Sequence, residues 1–139
     1  MPQSQGTLGV VELRIPSKAE WVAVARLAVA AVANRLNFSI EDIEDVKLAV
    51  AEACTNCIQH AEGSDQIQIT CETGPEGLTV RVRDFGRGMR PESIQSSRTD
   101  EQHIGGLGVF LIRSLMDSVE YDVNPERGTN LVMTKKVAH

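Results

Sequence analysis

Long apolar runs, clustered basic residues and a leader-like beginning are all missing from this chain of 139 residues. No segment approaches the ~20 apolar residues of a membrane-spanning helix. The 14 Lys and Arg are scattered among 19 Asp and Glu, which gives no footprint for nucleic acid. The first ten residues have no basic segment followed by an apolar run, as a signal peptide would. We therefore expect a cytoplasmic protein with no membrane or nucleic-acid partner.

Cysteine is scarce as well, with only Cys54, Cys57 and Cys71. An odd number without an export signal argues against structural disulfides. Cys54 and Cys57 form a CxxC pair, but no second Cys or His pair follows at metal spacing, so neither zinc nor thiol chemistry is expected. With 42% hydrophobic and 24% charged residues, and no internal repeat, residues 1–139 are expected to form one globular domain.

Residues 43–61 are predicted to form a helix with two patterned faces. The apolar face comprises Ile43, Val46, Val50, Ala53 and Cys57. The second face comprises Asp45, Glu52, Asn56, Gln59 and His60. Glu52 and Asn56 stand one turn apart, so a carboxylate that can take a proton lies beside an oxygen ligand that suits Mg²⁺. Such a pair alone is more often an ordinary exposed pair.

The first part of the chain predicts a strand and a helix before this one. Residues 8–15 alternate with β-branched side chains and stop at Pro16, as in an edge strand. Ser17 can then cap a mostly apolar, mostly buried helix over residues 18–37. Arg26 interrupts that helix, and it either snorkels or pairs with an acid, or it marks a surface for a partner. Ser39 is the predicted N-cap of the next helix.

The second part of the chain predicts a hairpin, a long loop, a helix and two strands. Residues 66–73 and 78–84 alternate around a turn of Gly and Pro, which is typical of a β-hairpin. Residues 85–108 hold five glycines and few apolar residues, and a loop of this length in a small domain is functional or disordered. A helix over residues 107–116 and strands over 118–123 and 129–137 follow.

Two glycine-rich stretches flank that loop. Asp84 ends a strand just before Gly86 and Gly88, so its carboxylate can face a cleft and accept a hydrogen bond from an amine such as that of adenine. The second stretch, GGLG at 105–108, opens into a helix, where backbone N–H groups favour phosphate. No GxxxxGK[ST] motif and no dinucleotide fingerprint is present. The order of these elements predicts phosphoryl transfer from ATP.

Four segments resemble the GHKL ATPases, and within them the bacterial anti-sigma-factor serine kinases, which include stressosome switch kinases. They are EACTNCIQHA, similar to the family's N-box, DFGRG and GGLGVFLIRSLMD, similar to its glycine boxes, and GTNLVMTK, similar to its closing strand. The resemblance covers residues 43–136 and extends in pattern to residues 8–37. It implies a Bergerat-type two-layer α/β sandwich, with a mixed, mostly antiparallel sheet covered on one face by three helices.

The resemblance also implies roles for individual residues. Glu52 would be the catalytic base and Asn56 the Mg²⁺ ligand, while Asp84, with Thr129 beside it, would contact the adenine amine. Residues 89–104 would be an ATP lid, shorter than those associated with the family, in which the residue that meets the γ-phosphate stays open. The implied nucleotide-binding residues are Asn56, His60, Asp84, Gly86, Gly88, Arg98, Gly105, Gly106, Leu107, Gly108 and Thr129. The implied partner-binding residue is Arg26.

The function implied is an ATP- and Mg²⁺-dependent protein serine/threonine kinase that works by partner switching. Its substrate would be a STAS-domain anti-anti-sigma or stressosome protein, and a sigma factor and a second copy of the chain are further expected partners. Two alternatives stay open. One is an ATP-gated module that only sequesters a partner, and the presence of Glu52 argues against it. The other is an ATP hydrolase or detached histidine-kinase catalytic domain, which the lack of a transducing domain disfavours.

Overall fold

The computed structural model describes residues 9–60, 65–85, 105–124 and 128–137, and within them five strands and three α-helices. The elements in chain order are β1 (Gly9–Pro16), α1 (Val22–Ala33), α2 (Ile40–His60), β2 (Gln66–Gly74), β3 (Gly77–Asp84), α3 (Gly105–Leu115), β4 (Ser118–Asn124) and β5 (Gly128–Lys136). None of these helices has the length and hydropathy that crossing a membrane requires.

The five strands form one sheet in the order β1-β2-β3-β5-β4, and all four pairings are antiparallel. The predicted hairpin is confirmed as β2 and β3, and β1 lies at an edge as expected. Gly77 closes the hairpin with φ +153° and a backbone so close to Lys135 that a side chain would not fit. The expected mixed sheet thus has no parallel pair among the described strands.

One face of the sheet carries the core. Because side chains alternate along a strand, the paired residues Ile15, Ile67 and Asp84, and likewise Ile69, Val82 and Leu131, all point to the same side. On that side α1 packs on β1 and β2, α2 on β3 and β5, and α3 on β4. The expected two-layer α/β sandwich with three helices on one face is confirmed.

Helix α1 is shorter and less buried than the sequence predicts. It runs from Val22 to Ala33 after a single 3₁₀ turn, and no side chain caps its start, so the capping role expected of Ser17 is wrong. The Ser17 N–H instead bonds to the Asp65 carbonyl at 2.9 Å, which draws this segment toward the start of β2. Leu27 is 68% exposed, so the outer side of α1 is an apolar surface.

Helix α2 agrees with its predicted start and apolar face. The Ser39 Oγ accepts a hydrogen bond from the Asp42 N–H at 3.0 Å, and the Asp42 carboxylate accepts one from the Ser39 N–H at 3.4 Å. This reciprocal arrangement satisfies two otherwise unpaired donors. Four of the five predicted apolar residues are buried, and Ile43 is partly buried against the core.

Lys135 joins α2 to α3 through a hydrogen bond and two ion pairs. The Lys135 Nζ donates to the Leu115 carbonyl at 2.6 Å and lies 3.5 Å from the Asp45 carboxylate and 3.9 Å from that of Asp42. Leu115 ends α3, where a cation is favoured by the helix dipole. The side chain of Lys135 is only 13% exposed, so these contacts are poorly screened by water.

The other face of the sheet carries polar side chains and one exposed aromatic ring. Arg14, Gln68 and Arg83 stand side by side across β1, β2 and β3. The guanidinium carbons of Arg14 and Arg83 each lie 5.3 Å from the centre of the Phe85 ring, directly after β3. Both are within the range of a cation–π contact.

All three thiols are free and lie in the core. Burial raises the pKa of Cys71 from 9.0 to about 11 and that of Cys54 from 9.0 to about 12. The pKa of Cys57 is also raised, first by burial and then by the negative charges of Asp84 and Cys54. The thiols therefore act as small apolar side chains at neutral pH.

Alkali should destabilise the protein through Cys71. Between 9.0 and about 11 this thiol ionises in the unfolded chain and keeps its proton in the folded one. Cys71 alone should thus lower the free energy of unfolding by up to about 1.4 kcal/mol per pH unit across that window, with nothing lost below it, and Cys54 and Cys57, whose pKa values are also raised, should add to this slope. Urea unfolding as a function of pH measures the slope. Cys71→Val should show a shallower slope than the wild type, and identical slopes would contradict the assignment.

Candidate functional site

The site begins with Glu52 and Asn56 on α2. One helical turn separates them, so both side chains leave the same side of the helix. Glu52 is half-buried, whereas Asn56 is only 4% exposed. The simple reading of an exposed pair is therefore wrong for Asn56, because a buried carboxamide needs partners for its oxygen and its nitrogen.

The Asn56 carboxamide lies between β4 and the start of α3. Its Nδ2 donates to the Tyr121 hydroxyl at 3.4 Å. A Cβ added at Gly108 would stand 2.9 Å from its Oδ1 and 3.1 Å from its Nδ2. Glycine at position 108 thus lets the first turn of α3 approach α2, and a larger residue there would displace the carboxamide.

Asp84 lies at the end of β3 and is fully buried. Its Oδ2 accepts a hydrogen bond from the Thr129 N–H at 3.1 Å. Gly128 has φ +109°, and a Cβ there would stand 2.4 Å from the Asp84 carbonyl oxygen and 2.9 Å from Oδ1. Both the backbone conformation of residue 128 and the lack of space for a Cβ there therefore require glycine. The start of β5 thus lies close to the Asp84 carboxylate.

Electrostatic effects place Asp84 near the Asn56 side of the site. Burial is the largest cause that raises the pKa of Tyr121 above its ordinary value, and the negative charge on Cys57 raises this pKa further. The hydrogen bond from Asn56 lowers the pKa. The Asp84 carboxylate raises the pKa of both Tyr121 and Cys57. The Tyr121 hydroxyl is therefore protonated at neutral pH.

The start of α3 is a further candidate binding element. The helix begins at Gly105, and the first four N–H groups of an α-helix have no partner within the helix. Together with the helix dipole, these groups form a site that suits an anion. Gly108 places this turn against Asn56, so the start of α3 and the middle of α2 are neighbours.

Several predicted site residues lie wholly or partly outside the described part of the chain. Gly86, Gly88, Arg98 and the lid residues 89–104 are outside it. Gly105, Gly106, Leu107 and His60 are described only as backbone within their helices. The structure places Gly108 beside Asn56, Thr129 beside Asp84, and Glu52 one turn from Asn56, and the roles of all the predicted site residues stay predictions.

Arg26 lies apart from these residues. It is exposed on α1, which packs against β1, β2 and α2. No residue in the described ranges forms an ion pair with it. The reading in which Arg26 pairs with an acid thus finds no support there, while its exposure leaves it accessible to a partner.

Tyr121 is the site residue that the sequence analysis missed. It is the only tyrosine in the chain and stands at an inward position of a strand, between Val119 and Val123. A tyrosine that turns inward usually finds a hydrogen-bond partner for its hydroxyl. The inward position of Tyr121 was predictable from the sequence. Its contact with Asn56 was not, because Asn56 is 65 positions away.

Metal chemistry at this site would rest on few protein ligands. Within the described ranges, no group of three or more His, Cys, Asp or Glu side chains is placed to hold a metal ion. Mg²⁺ does not need such a group, because it commonly keeps several waters and takes one or two protein ligands together with substrate phosphates. A single buried carboxamide oxygen beside an anion site fits that requirement.

Comparisons with known proteins show the family of the chain. A family profile described as the histidine kinase-like ATPase domain matches residues 15–135. The serine-protein kinase RsbW of Bacillus mycoides is 37% identical over 137 residues, which cover 91% of this chain and 84% of that protein. RsbW of Bacillus cereus is 38% identical with the same coverage.

Solved structures share the fold at low identity. The RsbU and RsbW domains of a Mycobacterium tuberculosis protein match with a TM-score of 0.69 and 14% identity, over 94% of this chain and 33% of that one. The histidine kinase domain of a blue-light-activated kinase from Erythrobacter litoralis EL346 matches with a TM-score of 0.57 and 18% identity, over 96% and 69%.

The chain belongs to the histidine kinase-like ATPase domain family. Curated relatives of the chain include serine-protein kinases named RsbW, which confirms the resemblance drawn from the N-box and glycine-box segments.

Proposed function

We propose that this protein is an ATP-dependent serine/threonine kinase that phosphorylates a STAS-type partner protein. The observation that carries the proposal is the placement of Glu52 one turn from the buried Asn56, beside the anion-binding start of α3. The proposal is supported by 37% identity to a serine-protein kinase over most of the chain.

Asp84 would recognise the adenine of ATP. A carboxylate offers about four lone-pair positions, so it can accept a hydrogen bond from more than one donor, the Thr129 N–H among them. Guanine presents a carbonyl oxygen where adenine has that amine, and a buried carboxylate repels it. Thr129, which is itself 2% exposed, would complete this end of the pocket.

Asn56 would hold Mg²⁺ through Oδ1, next to phosphates bound at the start of α3. A bound Mg²⁺ offsets negative charge on the transferring phosphoryl group. Gly105 and Gly106 would leave the backbone N–H groups of that turn accessible to phosphate, as glycine in such turns does. The family resemblance implies these roles. It also implies nucleotide-binding roles for Gly86, Gly88, His60, Arg98 and Leu107.

Glu52 would act as the base. The serine or threonine oxygen of the partner forms a bond to the γ-phosphorus of ATP, the bond to ADP breaks, and the hydroxyl proton passes to the Glu52 carboxylate. Its half-buried position suits this role, because the carboxylate is ordered by its helix and still reachable by a partner hydroxyl.

Helix α1 would provide the surface for partners. Arg26 is exposed there near the exposed apolar residues Trp21, Val24 and Leu27. Large apolar residues on a solvent-facing helix suit contact with another protein. A STAS protein, a sigma factor and a second copy of the chain are the partners we propose, and regulation would follow from the exchange between them.

Phosphate transfer from radiolabelled γ-phosphate ATP to a purified STAS-domain protein of the same organism tests the function. We expect Mg²⁺-dependent labelling of the partner on Ser or Thr, with ATP preferred over GTP. Binding of the partner without labelling would favour the sequestering module. Release of free phosphate at the same rate with and without the partner would favour the hydrolase.

A further inference from the structure

Tyr121 makes a contact that neither adenine recognition nor the base requires. It lies in β4, opposite Leu131 of β5, and points toward the helices. Its hydroxyl lies 3.4 Å from Nδ2 of Asn56 and is the only described partner of that carboxamide nitrogen. The contact joins β4, at one edge of the sheet, to α2.

The chemistry of a carboxamide makes this contact consequential. The two ends of the group differ, since the oxygen accepts and the nitrogen donates, and only the oxygen binds a hard cation. Asn56 is 4% exposed, so water offers its nitrogen little compensation. While Oδ1 faces a cation, Nδ2 needs an acceptor within the protein.

We propose that Tyr121 is a positioning residue for magnesium: its hydroxyl oxygen accepts the Asn56 Nδ2 hydrogen bond and so presents Oδ1 to the cation. This rests on the proposed role of Asn56 as a Mg²⁺ ligand. Oδ1 itself lies toward the first turn of α3, because a Cβ added at Gly108 would stand 2.9 Å from it.

Tyr121→Phe removes the hydroxyl and keeps the ring. With the nitrogen left unpaired, the orientation that binds metal is disfavoured, and loss of such a supporting contact weakens metal affinity by about 10-fold. Affinity for ADP without Mg²⁺ should stay unchanged, because the aromatic ring and the strand are kept. A merely structural role would lower both affinities together.

Calorimetry of ADP binding over a range of Mg²⁺ concentrations, and without Mg²⁺, separates these cases. The matched control is Thr55→Val, which removes the neighbouring hydroxyl on α2 that bonds to the Ala51 carbonyl at 2.8 Å. It should keep the wild-type Mg²⁺ dependence. Equal Mg²⁺ affinity in Tyr121→Phe and wild type, or an equal loss in the control, would overturn the proposal.

A second measurement needs neither metal nor nucleotide. The side-chain amide resonances of Asn56, identified by their loss in Asn56→Ala, should shift and exchange faster in Tyr121→Phe. Unchanged resonances would overturn the positioning role. If Asn56→Ala keeps the Mg²⁺ dependence, the proposed metal site is wrong and this inference fails with it. If Asn56→Ala loses the dependence and Tyr121→Phe keeps it, only the inference is wrong.

Discussion

Glu52→Gln should reduce phosphate transfer to the partner by about 10²- to 10⁴-fold, the usual contribution of a general base. Glutamine keeps the shape and hydrogen-bonding capacity of the side chain but cannot take the hydroxyl proton. The affinity for Mg²⁺-ATP should therefore stay close to that of the wild type. Initial rates of labelling at saturating Mg²⁺-ATP, with ATP affinity measured separately, test this expectation.

Two further variants make the result specific to the site. Glu44→Gln removes a carboxylate from the exposed side of the same helix, where it pairs with Lys47 at 3.0 Å, and should leave transfer unchanged. Asn56→Ala should lose both transfer and Mg²⁺-dependent binding. A wild-type rate for Glu52→Gln would show that Glu52 is not the base and that the proposed mechanism is wrong.

Asp84→Asn should weaken ATP binding by about 10- to 100-fold, as loss of a charge-assisted hydrogen bond does. The asparagine oxygen can still accept the Thr129 N–H, so the strand ends stay joined and the melting temperature should change little. The new amide nitrogen is a hydrogen-bond donor and would face the adenine amine, which is also a donor. The hydrogen bond to the amine is therefore lost. Calorimetry with ATP and GTP measures both the loss and the change in preference.

The control for this variant is Asp122→Asn, which removes an exposed carboxylate from β4 on the uncovered side of the sheet. It should bind ATP as the wild type does. Equal wild-type affinity for ATP and GTP would remove Asp84 as the adenine reader, whatever the variant shows.

Features set by near neighbours in the chain were predictable from the sequence. The cap at Ser39 involves a residue three positions away, and the two faces of α2 follow from helical periodicity. The β2–β3 hairpin follows from alternation around a short turn. In each case the interacting residues are close in sequence, so their pattern contains the information.

Features set by distant residues were not predictable in this way. The 3₁₀ start of the first helical segment follows a bond from Ser17 to Asp65, which overrides a good local capping signal. The apolar pattern continues past Ala33, yet the chain turns there and Leu36 packs on the core from outside the helix. The contacts of Lys135 with Asp42 and Asp45 depend on how strands and helices meet.

The burial of the site residues also needed the fold. From α2 alone, Asn56 is one member of a polar stripe, and only the approach of α3 and β4 buries it. Asp84 stands on the core side of β3 because the strand register places it beside Ile67. The family resemblance named Thr129 as a neighbour of Asp84, but the contact between Asn56 and Tyr121 was not predicted.

The polar face of the sheet also affects Asp84, which lies on the opposite face. Asp84 and Phe85 are consecutive, so the carboxylate turns inward while the ring lies on the opposite side between two arginines. Each cation–π contact contributes about 0.5–1 kcal/mol at an exposed site. The end of β3 is thus anchored on both faces of the sheet, and Arg14 and Arg83 help to hold in place the carboxylate that we propose to contact adenine.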